Sequence, residues 1–535
     1  MNNLEGFPML LSRILPVSAG LQPDRIAMKR GDETLTYGQI WLHTRCAAHA
    51  LRELGIGPGD RVALIGHPSP LLAVAELAVV TIGAIPVTLF PGLAPSELIQ
   101  MLQDAKPRAV IHDESHVDIH PIFADIGDAD RDILSISCRS GKAPYSIEGF
   151  IESQPPLEDV HEALPDDVAI IIYTGGTTGR SKGVMHSHRS ISRWSFLRPE
   201  LGGGHYPTKV SIVYNQAHLT GQFVLWTTLY DGGCLLYPER FPLRAEEVAD
   251  LIEQEHIQFL GTVGLLFRDL IYLDGMMARN LHSLQRISCG GAPINEATFR
   301  KAKEVFPNTQ LTEVYSQTES GQFISFLSVD QCFEEEKPHR LQSVGRPSDL
   351  AYWGQTPFQV RIVNEFGKEL PQGEAGEIVC KGEGMMLGYW NNREETDKAI
   401  RNGWLYTGDV GYFDEDGFLY LTDRKKDIII LNASNVYGSE VESALGSHPN
   451  ISELAVIGTP LHEEGEEVTA VIVMRDPSTS IELEELRCYG SGRLAEYKLP
   501  TRLVIVEQFP RTPVGKIDKA AIRRPYWQGR TRMIQ

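Results

Sequence analysis

The stretch Tyr173-Thr174-Gly175-Gly176-Thr177-Thr178-Gly179-Arg180-Ser181-Lys182-Gly183 sets four glycines, two adjacent threonines and a lysine within eleven positions. Glycines let backbone amides turn toward an anion, hydroxyls add donors and an ammonium adds charge, a set that suits the oxygens of a triphosphate. It is not a Walker A loop, because Lys182 is followed by Gly183 and the glycine spacing is wrong. A second constellation lies far along the chain. Asp409, in Tyr406-Thr407-Gly408-Asp409, and Arg424, in Asp423-Arg424, flank Asp414-Glu415-Asp416-Gly417, which reads as a hairpin turn. Folding there brings the carboxylate beside the guanidinium. A carboxylate can accept both hydroxyls of a ribose while the guanidinium orients it; a structural ion pair is the other reading. His218, in Asn215-Gln216-Ala217-His218-Leu219-Thr220-Gly221, is either a functional imidazole or a satisfied core histidine. His186 and His188 lie close together but no third ligand is in sight, so zinc is not expected.

These residues need a scaffold that delivers loops from strand ends. Runs rich in Val and Ile at 61–66, 109–111, 168–173, 209–213 and 285–288 alternate with helical patterns, which predicts an α/β domain with mostly parallel sheets. A helix is predicted to start over 95–102, with a break at 105–107 before the next strand. Residues 71–90 form the one apolar run of spanning length. Glu76, Gly83 and Pro86 inside it favour a buried helix over 71–81 and a core strand over 85–90, so no membrane span is expected. Past about residue 355 short strands and tight turns take over, at 359–363, 376–379, 412–413 and 418–422. A new α/β pattern starts after Asp427, with a helix over 439–445 and strands over 453–457 and 470–474. The expected division is a large domain over 1–425 and a smaller one over 426–535.

The 535 residues carry 70 Asp+Glu against 50 Lys+Arg, a net charge of -20, with 42% hydrophobic residues. That is enough apolar material for sizeable cores, and too acidic a body for non-specific binding along nucleic acid. From 493 to 535 the balance reverses: ten basic residues to three acidic make a +7 segment after a body of -27. The seven cysteines are never closer than 43 positions, which gives no zinc-type spacing and fits a reducing, cytoplasmic setting. The first fifteen residues show no secretory-signal pattern.

The loop at 173–183 resembles the phosphate-binding signature of the adenylate-forming superfamily, which includes acyl- and aryl-CoA ligases, amino-acid adenylation domains and beetle luciferases. The family's usual form is close to Tyr-Thr-Ser-Gly-Thr-Thr-Gly-x-Pro-Lys-Gly; here Gly175 stands for the serine and Ser181 for the proline. Further motifs follow in the family's order, and the resemblance runs from about residue 30 to 520. Gly290-Gly291-Ala292-Pro293 resembles the adenine-binding turn, and Tyr315-Ser316-Gln317-Thr318-Glu319 resembles the Tyr-Gly-x-Thr-Glu motif. Pro510-Arg511-Thr512-Pro513-Val514-Gly515-Lys516-Ile517 resembles the last motif of the series. The likeness implies that Thr174, Gly176, Thr177, Thr178, Gly179 and Lys182 cradle the phosphates of ATP. It puts Gly290, Gly291, Ala292 and Tyr315 at adenine, Thr318 at the α-phosphate and Glu319 on Mg²⁺. Asp409 and Arg424 go to the ribose, His218 to the acyl pocket, Lys516 to catalysis, and Lys426 becomes the hinge.

The same likeness implies the fold and the reaction. The fold is α/β: a large N-terminal adenylate-forming domain of parallel sheets and helices with a β-rich subdomain, and a smaller mobile α+β C-terminal domain. A carboxylate attacks the α-phosphorus of MgATP to give an acyl-AMP and pyrophosphate. A nucleophile, most often the thiol of CoA, then takes the acyl group. Rotation about Lys426 withdraws Lys516 and presents residues 427–437 to the thiol. Two departures bear on the second step and on the acid. Asn432-Ala433-Ser434-Asn435 stands where relatives commonly have Gly-Gly-x-Asn along the pantetheine tunnel, and the Pro-Leu/Met-Phe ahead of the His218 segment is absent. Val314 and Ser316 stand where many relatives have glycine at the pocket floor, which predicts a short cavity and a small aromatic or short acyl acid. Other acceptors are a carrier-protein phosphopantetheine supplied by another chain, or an amine. A nucleotide-binding protein without catalysis is a further alternative, opposed by Lys516, Glu319, Thr177, Thr178 and Asp409 occurring together. Relatives are often monomers or dimers, so either a monomer or a homodimer is expected. Arg511 and Lys519, in the basic segment, are expected to meet phosphates of ATP or CoA.

Overall fold

The computed structural model describes residues 10–113, 119, 122, 133–174, 181–195, 210–241, 243–290, 294, 296–321, 323–353, 357–424, 427, 429–431, 434–461, 466–491, 493–494, 496–512 and 516–528. The chain packs as two compact units, 1–341 with 345–359 and 380–405, and 342–344 with 360–379 and 406–535. The expected domains are 1–425 and 426–535, and Lys426, at their boundary, lies outside the described residues.

An eight-stranded sheet anchors the first unit. Its order is Gly388–Tyr389, Lys182–Ser187, Val168–Thr174, Ile85–Leu89, Arg61–Ile65, Ala109–His112, Leu134–Ser137 and Tyr145–Ser146. From Val168–Thr174 onward every pairing is parallel. The two pairings at the other edge are antiparallel. The chain therefore leaves the parallel sheet at Thr174 and returns at once as an antiparallel neighbour. The glycine-rich loop closes a hairpin, where a Walker-type loop joins a strand to a helix.

The helix Pro70–Thr81 is buried at every residue except Leu71. Ser69 starts it, its hydroxyl accepting from Leu72 N at 3.2 Å, and Pro70 supplies a first position that needs no donor. An all-round apolar helix is a core helix. No helix among the described residues is long and apolar enough to cross a membrane. A second sheet runs Phe259–Val263, Arg286–Gly290, Gln310–Tyr315, Ser325–Ser328, with the first three strands parallel. Its parallel strands end at Gly290 and Tyr315, and ligands of open α/β sheets gather beyond such ends.

In the second unit the strand expected at 412–413 belongs to a longer one, Trp404–Phe413, which pairs antiparallel with Leu419–Arg424. Thr407-Gly408-Asp409 interrupts its apolar pattern, so the sequence reading caught only its end. The turn between the strands is held by Asp414, whose Oδ1 accepts from Asp416 N at 3.0 Å and Phe418 N at 2.8 Å. Gly417 sits at φ +80°, a conformation open to glycine at little cost. Further on, Ile451–Pro460, Glu466–Met474 and Arg502–Ile505 form a three-stranded sheet with the helices Gly438–Leu445 and Leu483–Gly490.

Candidate active site

The hairpin register sets Thr174 opposite Lys182 and Tyr173 opposite Gly183. A Cβ at 183 would lie 2.9 Å from Ile171 and 3.1 Å from the Tyr173 ring, so the second position of the strand Lys182–Ser187 favours a glycine. Gly176, Thr177, Thr178 and Gly179 lie outside the described residues. Lys182 does not stand alone. Its ammonium pairs with Glu395 and sits 4.8 Å from the centroid of the Tyr389 ring. Lys182, with Lys398 behind it, holds the Glu395 carboxyl below the usual carboxylate range. Tyr389 in turn donates its hydroxyl to Glu319 Oε1 at 2.9 Å. Burial, then the Glu319 charge, push the Tyr389 phenol up and keep it protonated. Two motifs more than 130 positions apart are thus joined through one buried ring.

The Glu319 backbone is tied down as well. Its carbonyl accepts from Met386 N at 2.9 Å, and the carbonyl of Thr318 accepts from His186 Nε2 at 2.8 Å. Because a carbonyl only accepts, the His186 proton resides on Nε2, and Nδ1 faces Ser190 Oγ at 3.3 Å. Burial pushes this imidazole down to about 4, against the pull of the Thr318 carbonyl, so it stays neutral. His188 turns elsewhere, its Nδ1 accepting from Leu11 N at 3.2 Å. The two histidines serve two different backbones. Among the described residues no group of three His, Cys, Asp or Glu could hold a metal. Glu319 supplies one hard carboxylate, which fits Mg²⁺, since that ion takes few protein oxygens and keeps water and phosphate ligands.

Gly290 and Val314 are partners on adjacent parallel strands. A Cβ at 290 would meet Val314 Cγ2 at 2.8 Å, so the valine side chain already fills the space over the glycine. Tyr315 is buried and Ser316 half-buried at the end of the same strand; Gly291 and Ala292 lie outside the described residues. His218 caps the helix Leu219–Tyr230, Nδ1 accepting from Thr220 N at 3.3 Å, which leaves the neutral ring's proton on Nε2. The turn before it is tight: a Cβ at Gly221 would come within 1.8 Å of the Asn215 carbonyl.

In the second unit, the hairpin register sets Asp409 directly opposite Arg424. Asp409 is 7% exposed, and its amide donates to Thr407 Oγ1 at 3.1 Å. The Arg424 side chain lies outside the described residues. Lys516 is exposed on a loop stapled by Thr512 N to Lys516 O at 2.8 Å and Lys516 N to Thr512 Oγ1 at 3.2 Å. The cations of the basic segment also have acidic neighbours. Arg511 makes a forked pair with Glu453 at 2.6 and 2.7 Å, and Lys519 meets Glu442 at 2.7 Å. Arg523 meets Asp427 at 2.7 Å. Glu453, Glu442 and Asp427, all earlier in the chain, offset part of this basic excess.

A family model described as AMP-binding enzyme matches residues 15–390, and one described as AMP-binding enzyme C-terminal domain matches 440–516. The chain belongs to the AMP-binding enzyme family. Within this adenylate-forming enzyme, both the hairpin and the Tyr315–Glu319 motif fall inside the first match, and Lys516 closes the second. Asp409 and Arg424 lie between the two. The enzyme is 30% identical over 512 residues, 95% of its chain and 97% of the relative, to a feruloyl-CoA synthase of Amycolatopsis sp. It is 29% identical over 521 residues, 94% of its chain and 88% of the relative, to the medium/long-chain-fatty-acid–CoA ligase FadD8 of Mycobacterium tuberculosis. Among solved structures, the amide bond synthetase McbA from Marinactinospora thermotolerans superimposes with a TM-score of 0.83, at 29% identity over 96% of this chain and 99% of that one. The α/β fold expected from the motifs is the fold observed, and the ligase class follows from the family.

The sequence reading missed Tyr389, Glu395 and His186 as parts of this array. Tyr389 lies in the apolar run Met385–Trp390 and Glu395 in a charged stretch, and nothing local announces that they meet Lys182 and Glu319.

Proposed function

We propose that the enzyme activates a small aromatic carboxylic acid with MgATP and passes the acyl group to the thiol of CoA. The observation that carries the reading is the Lys182–Tyr389–Glu319 array. It holds a cation and a carboxylate at fixed separation, and a Mg²⁺-triphosphate needs one of each. In the first step a carboxylate oxygen bonds to the α-phosphorus, the bond to the β-phosphate oxygen breaks, and pyrophosphate leaves with the electron pair. Glu319 would hold Mg²⁺, which would supply charge neutralisation on the phosphates. Lys182 and the hydroxyls of Thr174, Thr177 and Thr178 hold the leaving pyrophosphate, with Gly176 and Gly179 lending backbone amides. Thr318 and Lys516 meet the charge that develops at the α-phosphate. Gly290, Gly291, Ala292 and Tyr315 take the adenine, and Asp409 and Arg424 the ribose. In the second step the CoA sulfur bonds to the acyl carbon, the bond from that carbon to the phosphate oxygen breaks, AMP leaves with the electron pair, and the thiol proton passes to solvent. Rotation about Lys426, within a 1–425 and 426–535 division, exchanges Lys516 for residues 427–437 between the steps.

The acid lies between His218 and the strand end at Val314 and Ser316. Val314, packed over Gly290, supports a shallow floor, and the feruloyl-CoA synthase likeness supports an aryl acid. The test is pyrophosphate release with ferulate, indole-3-acetate, benzoate, hexanoate and hexadecanoate, run with and without CoA, with products weighed by mass spectrometry. Aryl acids should exceed hexadecanoate and give CoA thioesters. Preference for hexadecanoate would sink the acid assignment; absence of pyrophosphate release with every acid would favour a nucleotide-binding protein without catalysis. A second reading, amide formation, is favoured by the McbA likeness and by Ala433 in place of a tunnel glycine. It predicts acyl-AMP without thioester and an amide when an amine is added; a thioester formed only on a phosphopantetheinyl carrier protein would name a third acceptor.

A further inference from the structure

The reaction as described makes no use of Glu76. This residue lies mid-helix in Pro70–Thr81 and is 0% exposed. Its Oε2 accepts from Gln216 Nε2 at 2.6 Å. The Gln216 carbonyl accepts from Gln222 Nε2 at 2.6 Å, and Trp226 Nε1 donates to Gln222 Oε1 at 2.9 Å. Gln216 comes two residues before His218, and Gln222 directly follows Gly221, whose missing Cβ admits the Asn215 carbonyl. A continuous line of hydrogen bonds therefore runs from the core helix through both ends of the turn that carries His218.

Two buried oxygens in this line have no partner among the described residues, Glu76 Oε1 and Gln216 Oε1. If Glu76 were ionised both would be acceptors only, and two unsatisfied buried acceptors are costly. A single proton on Glu76 Oε1 answers both. Acid and amide then exchange two hydrogen bonds, Oε1–H to Gln216 Oε1 and Gln216 Nε2–H to Glu76 Oε2.

We propose that Glu76 is a positioning residue: as the neutral acid it closes a cyclic pair with Gln216 that holds the Asn215–Gly221 turn, and with it His218, in place, and ionisation opens the pair. Its bearing on the reaction rests on the reading that His218 lines the acid pocket. Burial pushes the Glu76 carboxyl up to about 7, with the Gln216 and Gln222 amides pulling the other way. The other titratable group that acts with it is the Tyr237 phenol, next to the strand Cys234–Leu236, which burial above all keeps protonated. No cation is among these contacts to stabilise the carboxylate. Because the folded-state value is raised above the ordinary 4.5, the contribution of Glu76 to stability is complete below that pH and is lost as pH rises through about 7.

The test uses the full chain and needs no substrate. Hydrogen–deuterium exchange of the peptide 213–222, corrected for intrinsic rates, and thermal unfolding are followed from pH 5.5 to 8.5 for the parent, Glu76→Gln and Glu76→Leu. In the parent, exchange in this peptide should rise by about tenfold between pH 6 and 8.5, and the melting temperature should fall over the same range. Glu76→Gln replaces the acid O–H by an amide N–H and keeps both bonds, so its turn should stay protected at both ends of the range. Glu76→Leu should expose the turn at every pH; if that variant does not fold, the contrast between parent and Glu76→Gln decides. A parent profile that coincides with Glu76→Gln overturns the proposal, and so does a pH effect spread evenly over the first unit. The ligase reading fails or stands on pyrophosphate release, which neither measurement uses, so the two outcomes are separable.

Discussion

Lys182 and Lys516 are both lysines expected at the phosphates, and the molecule treats them in opposite ways. Lys182 starts a strand of the eight-stranded sheet, is 21% exposed, and is held by Glu395 and the Tyr389 ring. Lys516 is exposed on a loop whose neighbouring cations are engaged by acidic partners of their own unit. A charge built into a network is pre-organised and partly neutralised before any ligand arrives. An exposed charge on a short stapled loop pays a larger entropic cost when it is ordered, but can be delivered and withdrawn. The contrast fits a division of labour between a resident phosphate clamp and a visiting catalytic cation.

The sharpest way to break that contrast is Lys516→Ala. Adenylate formation should fall by about 10²–10³-fold while the melting temperature stays within about a degree of the parent, since an exposed side chain supports little packing. An unchanged ATP–pyrophosphate exchange rate would remove Lys516 from catalysis. Next, Glu319→Gln should raise the Mg²⁺ concentration for half-maximal rate by at least about tenfold, and Tyr389→Phe should shift it less, because it only frees an oxygen of the ligand. Equal Mg²⁺ curves for all three proteins would end the metal assignment.

A smaller effect tests the clamp itself. On the proposed role of Lys182, Glu395 would compete with the triphosphate for it, so Glu395→Gln should lower the KM for MgATP by about two- to fivefold, and the gain should shrink at high salt. A KM that rises instead would make Glu395 an aligning partner. The smallest effects belong to the ion-paired cations. Arg511→Gln and Lys519→Gln should leave the KM for ATP and for CoA within about twofold and cost at most about 1 kcal/mol of stability, because each loses a half-exposed pair with Glu453 or Glu442. A large loss of CoA use would restore the phosphate reading of this segment.

Much of the scaffold was legible because it is written in local patterns. Val/Ile runs foretold Arg61–Ile65, Val168–Thr174 and Arg286–Gly290, and the all-apolar face of 71–81 foretold the core helix. Asp414-Glu415-Asp416-Gly417 foretold the turn that sets Asp409 opposite Arg424, since turn chemistry resides in adjacent residues. What escaped were contacts between distant segments. From the sequence His186 had no role, only a neighbour in His188 and no third ligand, and the path of the chain shows it donating to the Thr318 carbonyl. Arg511 and Lys519 looked like a cationic surface because their partners, Glu453 and Glu442, are counted elsewhere in the sequence.

By itself the sequence determined the family, the α/β class, the order of the motifs and the residue types available at each, because these depend on local spacing and side-chain chemistry. The tertiary structure decided which of those charges are already engaged. It brought Tyr389 and Glu395 to Lys182, gave Glu319 a hydroxyl donor, and buried Glu76 beneath the His218 turn. Charge and composition are sums over the chain, whereas electrostatic energy depends on distance and burial, and those exist only once the chain has folded.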